Sequence, residues 1–249
     1  MFKKKEISHL VISIVVLGFA FGFNDKQPTF NLANWTFNFF RAFIAAAITL
    51  LLYELVHKFV ASRYGSETEY EIWSIKRYWF TPYAAFPKKI FGKYTINSIP
   101  LGIIISLFTT LITNGLFYII PLSSFKAIEK THLRVVSKFK HLTYFEEAKI
   151  ASASIILLTI MAIILTSFGK SSTFTMLSTM LFVFVLYSMI PVSTLDGSKI
   201  FFGSLALYLA VFAFIVLSYL LVDKFGAVFS IFLALLGSAF VVLIYLHKS

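Results

Sequence analysis

The sequence predicts an all-α, polytopic membrane helix bundle, and three observations carry that expectation. Of 249 residues, 59% are hydrophobic and only 13% charged, with a mean hydropathy of +0.86, well outside the composition of a soluble domain. Seven apolar runs recur, at about 7–23, 35–60, 99–122, 149–168, 174–194, 200–222 and 226–246, and most reach the roughly 18–20 residues that cross a hydrocarbon core of about 30 Å. The basic residues lie in the gaps between those runs rather than in a basic domain of their own.

Each run has its own reading. Run 7–23 follows Lys3, Lys4 and Lys5 and has no small-residue cleavage site before Asn24 and Asp25, which predicts a retained anchor. Run 35–60 carries Tyr53, Glu54 and His57 near its end. The stretch 61–98 mixes Glu67, Glu69 and Glu71 with Tyr70, Trp73, Tyr78 and Trp79, an amphipathic pattern suited to a membrane surface. Its alternation over 67–72 fits an edge strand, and a solvated loop with interfacial aromatics is the other reading. Run 99–122 is interrupted by Asn114-Gly115, where a helix breaks and the chain can turn back. Runs 149–168, 174–194, 200–222 and 226–246 read as spans, the last two separated by Asp223 and Lys224.

Charge placement sets the topology. If run 99–122 enters and leaves on one face, 18 of the 22 Lys and Arg residues fall on the cytoplasmic side and only Lys26, Arg41, Lys170 and Lys224 on the other, as the retention of positive charge inside requires. If it crossed, the six basic residues between 123 and 149 would move outside. The expectation is therefore about six transmembrane helices plus one re-entrant or interfacial segment, with both termini cytoplasmic in the cell membrane. His57 and Asp196 then lie at the same cytoplasmic depth.

Composition also removes whole classes of function. The chain has no cysteine, so disulfides and thiolate metal sites are excluded, and any metal must be held by His, carboxylate, Tyr or water. The net charge of +11 is distributed next to apolar spans, which points to anionic lipid headgroups rather than nucleic acid. The 30 phenylalanines read as lipid-facing and packing bulk. The absence of a repeat counts against a transporter that would use Glu54 and Asp196 to move protons.

Ionisable residues inside a span are costly and are functional candidates by default. Tyr53 and His57 are four residues apart and Glu54 and His57 three, so all three share a helical neighbourhood. The stretch Tyr53-Glu54-Leu55-Val56-His57 has the form of the His-Glu-x-x-His zinc helix with its first imidazole replaced by a phenol. A second carboxylate, Asp196, sits in Leu195-Asp196-Gly197 after Pro191. His9, His132, His141 and His247 read as interfacial or solvated.

With these residues in place, the chain resembles the site-2 protease family of intramembrane zinc metalloproteases, and looks most like its archaeal members. Residues 53–65 are similar to the family's metal helix, 190–199 to its Pro-containing Leu-Asp-Gly motif, and 142–151 to the lead-in to its core helix. The resemblance implies a single integral membrane domain over 1–249, with a metalloprotease-like core at about 35–220 and extra spans at 7–23 and 226–246. It implies zinc held by His57 and Asp196, with Tyr53 in the place of the first His, and Glu54 as general base. Ser188 and Pro191 fall on the substrate-binding motif. Three departures accompany the match: Tyr53, Ser188 where the family has an Asn, and a core helix 151–158 without the customary Gly-Pro and following Asn.

Two functions follow as expectations. One is a metal-dependent endopeptidase acting on a transmembrane-helix substrate near the cytoplasmic face, impaired because Tyr53 replaces a ligand. The other is a pseudoprotease that binds or regulates membrane-spanning clients without cutting them.

Overall fold

Helix α2 (Leu32–Arg63) explains the architecture best, because its two faces invert the soluble pattern. Ala42, Ala45, Ala46, Thr49, Leu50, Tyr53, Glu54, His57 and Ala61 recur at helical spacing and are buried. Phe37, Phe40, Ile44, Ile48, Leu51, Leu55 and Phe59 form the opposite stripe and are exposed. Small and polar residues turned inward with large apolar residues turned outward is the arrangement expected of a helix bathed in lipid.

The structure is a computed structural model that describes residues 2–77, 85–90, 94–129, 142–168 and 171–248. It is mostly helical, 72%, and among the described residues four helices are long and apolar enough to cross a membrane: α1 (Lys4–Gly22), α2, α4 (Tyr144–Ser167) and α7 (Leu205–Lys248). The shorter apolar helices are α3 (Leu101–Ile112) and α5 (Ser172–Ser188), and α6 (Asp196–Gly203) is a short helix between α5 and α7. Helices α1 and α2 run antiparallel and approach closely where Gly18 faces Phe43 and Gly22 faces Ala42.

Two features of α7 show that it is a hairpin rather than one rod. Its 44 residues would extend about 66 Å at 1.5 Å per residue, roughly twice a hydrocarbon core. Gly226 breaks the helix with φ 70° and ψ 176°, a conformation open to glycine, and a Cβ on Gly237 would strike the Leu217 side chain. The halves on either side of Gly226 therefore pack on each other, in register with the runs 200–222 and 226–246.

Segment 99–122 also departs from a spanning rod. Only Leu101–Ile112 is helical, and Asn114 and Gly115 both take positive φ, 55° and 73°. Its two ends return to one residue: Gly102 N donates to Trp73 O at 3.1 Å, and Trp73 N donates to Leu122 O at 2.8 Å. Its tip reaches the α1–α2 connection, where Asn24 Nδ2 donates to Asn114 O at 3.2 Å. The break and the return are those read from the Asn-Gly pair.

The stretch beyond α2 is a strand. β1 (Ser66–Ile72) pairs antiparallel with β4 (Ser123–Glu129), Ser66 opposite Glu129 and Ile72 opposite Ser123. Its side chains alternate between buried Ser66, Thr68, Tyr70 and Ile72 and half-buried Glu67, Glu69 and Glu71, the period-2 pattern of a strand with one packed face. A second small ribbon joins β2 (Lys88–Ile90) and β3 (Tyr94–Ile96). Tyr78 and Trp79 lie outside the described residues, as do His132 and His141.

Helix α4 starts with a capping box: Thr143 Oγ1 accepts from Glu146 N at 3.2 Å while Glu146 Oε2 accepts from Thr143 N at 2.9 Å. Helix α5 stops at Ser188, and a seven-residue turn with Ser193 at φ 56° leads into α6. Gly197 makes that turn possible, since a Cβ there would collide with the Met189 carbonyl group and would lie 2.8 Å from Ile190 O.

Candidate functional site

Helix α2, the first turn of α6, helix α4 and strand β1 meet around four fully buried side chains, Tyr53, Glu54, His57 and Asp196. The helical spacing of Tyr53 and His57 stacks their rings edge to face, with centroids 4.2 Å apart. Asp196 comes from 143 residues away in sequence, and the Tyr53 hydroxyl donates to its Oδ2 at 2.6 Å. His57 Nε2 lies 3.6 Å from the same carboxylate oxygen. Thus the residues marked by the two motifs do converge.

Further groups complete their hydrogen bonding. Ser154 Oγ on α4 lies 2.9 Å from Ala151 O and 2.7 Å from His57 Nε2, so one hydroxyl joins the imidazole to the α4 backbone. Glu54 Oε1 takes the Lys58 ammonium at 3.3 Å and Thr68 Oγ1 at 3.4 Å. Among the described residues, Glu54 Oε2, His57 Nδ1 and Asp196 Oδ1 have no hydrogen-bond partner, and the first two stand 4.0 Å apart.

The positive charge around these carboxylates is supplied by lysine. Lys58 serves Glu54, one helical turn back. Lys199, three residues after Asp196, donates to Phe125 O and sits over the Phe125 ring, whose centroid is 4.4 Å from that of His57. Burial pushes the Asp196 carboxyl up to about 6, against the opposing pull of Lys199 and the Tyr53 hydroxyl. Burial pushes Lys199 down to about 8, against the opposing pull of Asp196 and more distant glutamates.

Strand β4 fixes the α5–α6 turn that carries Asp196. Ser124 Oγ donates to Thr194 O at 2.7 Å, and Ser198 Oγ closes the turn onto Ser193 O at 2.7 Å. Ser188 is buried, donates to Phe184 O at 2.9 Å, and lies 3.4 Å from Ser123 Oγ. Pro191 is exposed in the turn and is not part of the buried cluster. His9, on α1, lies beside Tyr70 and Glu71 rather than against Tyr53.

These residues do not fit a catalytic zinc ion. Such a site uses three protein donors and an open position. Here the 3.6 Å between His57 Nε2 and Asp196 Oδ2 would allow two donors to share an ion, but the third place is a phenol that spends its proton on the carboxylate. Among the described residues, no group of three or more His, Cys, Asp or Glu converges at metal-binding spacing.

Three contributors escaped sequence reading. Only Lys58 carried a local signal, its i,i+4 spacing from Glu54 in the favourable orientation. Ser154, and Glu6 of α1, which pairs with Lys58 at 2.6 Å, had none, as each reaches the site from another helix. Comparison with protein-family models, with curated proteins and with solved structures finds no match to this chain.

Proposed function

We propose that this chain is a site-2-protease-like membrane scaffold that binds transmembrane-helix clients near the cytoplasmic face and does not hydrolyse them. One observation carries the reading: Tyr53 occupies the place of the first imidazole and donates to Asp196 at 2.6 Å, with both side chains fully buried. The chemistry that remains is a neutralised polar cluster, in which hydroxyl groups and lysines occupy atoms that would otherwise bind metal or activate water. The proposed arrangement has six spans in the cell membrane with both termini cytoplasmic, counting each half of α7 as a span and 99–122 as re-entrant. The basic cytoplasmic segments would lie against anionic lipid headgroups.

A second reading, a zinc-dependent endopeptidase with Glu54, His57, Asp196 and Tyr53 at its centre, is favoured by the three unpartnered atoms Glu54 Oε2, His57 Nδ1 and Asp196 Oδ1. It requires Tyr53 to give up its bond to Asp196 where both side chains are fully buried, and breaking a charge-assisted hydrogen bond there costs about 1.5–3 kcal/mol.

Client binding is tested by photo-crosslinking. A photoactivatable residue at Val192, exposed in the α5–α6 turn, is expected to capture a single-span polyleucine reporter in proteoliposomes. The same residue at Phe240, exposed on the outer half of α7, is expected to give only background. Equal capture at the two positions would remove the binding reading.

A further inference from the structure

The outer edge of β1 is occupied by side chains of α1 and α2, and the manner of occupation is specific. Thr68 O and Tyr70 N point away from β4. Lys58 Nζ donates to Thr68 O at 2.8 Å, and Tyr70 N donates to Glu6 Oε1 at 3.2 Å. Lys58 and Glu6 are themselves paired at 2.6 Å. In a parallel ladder, one residue of the neighbouring strand donates to the carbonyl of residue i−1 and accepts from the amide of residue i+1. The Lys58–Glu6 pair reproduces those two bonds around Glu69, so an ion pair stands in for one residue of a strand.

The rest of the N-terminal turn of α1 fastens this substitute down. Lys3 pairs with Glu69, Lys5 with Glu71 at 3.5 Å, and the Phe2 ring lies 4.8 Å from the Lys58 ammonium. Lys3 and Lys5 are exposed, whereas Glu6 is 2% exposed. A cleft of about 170 Å³ opens beside the contact, lined by Lys3, Glu6, Lys58, Ser66, Thr68 and Glu69. The Lys3 and Lys5 pairs are exposed to solvent and hold weakly, while the edge beneath them is built to pair.

We propose that residues 2–6 are an autoinhibitory cap on the β1 edge, which must lift before an extended segment of a partner can add to β1 as a parallel strand. What the cap excludes rests on the client-binding reading above; the cap itself rests on the contacts just described. Lifting the cap also removes Glu6 from Lys58, leaving that ammonium to Glu54 alone, so edge and buried cluster respond together.

Hydrogen–deuterium exchange on the full chain in nanodiscs tests the cap without any client. In the Lys3→Ala/Lys5→Ala double variant, Glu6 is still present, yet exchange of the 66–72 segment is expected to rise about fivefold, because two exposed pairs that hold the cap closed are gone. Glu6→Ala is expected to raise it further at Tyr70. Since the chain has no cysteine, Lys3→Cys/Glu69→Cys joined by a bismaleimide should restore full protection. Unchanged exchange in the double variant would overturn the cap, showing Glu6 to be a fixed structural bond. A second arm uses the polyleucine reporter extended by an alternating Val-Thr segment: capture should increase in the double variant and be lost in the linked protein. If exchange rises but no variant captures the reporter, the cap stands and the client-binding reading fails.

Discussion

Tyr53→His is expected to raise bound zinc from near zero to about one ion per chain, the stoichiometry of a single three-donor site. Residue 53 lies one turn before His57 on the same helical face, and its side chain already reaches Asp196, with the hydroxyl 2.6 Å from Oδ2. An imidazole there supplies the missing donor, and without the phenol proton the Asp196 carboxylate is free to bind metal. Metal analysis of purified protein reads the result directly. Adding His57→Ala or Asp196→Ala to Tyr53→His should return zinc to near zero, because each deletion again leaves two donors. Equal zinc in the unmodified chain, in Tyr53→His and in both combinations with His57→Ala or Asp196→Ala would place any metal site elsewhere.

Gly197→Ala is the smallest change with a large structural effect. The added methyl collides with the Met189 carbonyl and with Ile190 O, and both are backbone atoms at the end of α5 that no rotamer change can move aside. Overpacking against backbone costs about 3 kcal/mol at the upper end of its usual range. Asp196 would be displaced from Tyr53 and His57 in the process. The expected readout is a drop in thermal midpoint together with faster proteolysis of the α5–α6 turn, while Gly226→Ala, where nothing lies within 4 Å of the new methyl, should strain only the α7 bend. Retention of wild-type stability by Gly197→Ala would show that the turn does not press on α5 as described.

How much of this the sequence disclosed depends on the range of the interaction. The break at Asn114-Gly115 is local, set by residues that favour positive φ, and was legible; the bend at Gly226 was visible only as the gap between the runs 200–222 and 226–246. Charge placement along the chain anticipated that 99–122 returns to its starting point, and the structure brings both of its ends to Trp73. The motifs on α2 and α6 marked Tyr53, Glu54, His57 and Asp196 because each pattern is contained within a few residues.

Long-range pairing left no such trace. Alternation over Glu67, Glu69 and Glu71 fitted a strand but could not name β4 as its partner, whose Ser123 lies 51 residues beyond its pairing partner Ile72. Buried Glu6 drew no reading from the sequence, and its role follows only from the packing of α1 on β1. Ser154 lay in a core helix whose departures from the resembling family were visible as absences, without indicating that a serine hydroxyl would hold the imidazole. Reading Lys58 as part of a basic loop hid it, although its spacing from Glu54 placed it beside that carboxylate.

The account turns on whether Tyr53 disables hydrolysis, and incubation of the unmodified chain with a single-span reporter in zinc-containing proteoliposomes tests this most directly. The polar cluster as built predicts that the reporter remains full length and crosslinks through Val192, with no change on adding a chelator. Chelator-sensitive cleavage of the reporter near its cytoplasmic end, abolished by Glu54→Gln, would contradict the scaffold reading and make Tyr53 a working ligand.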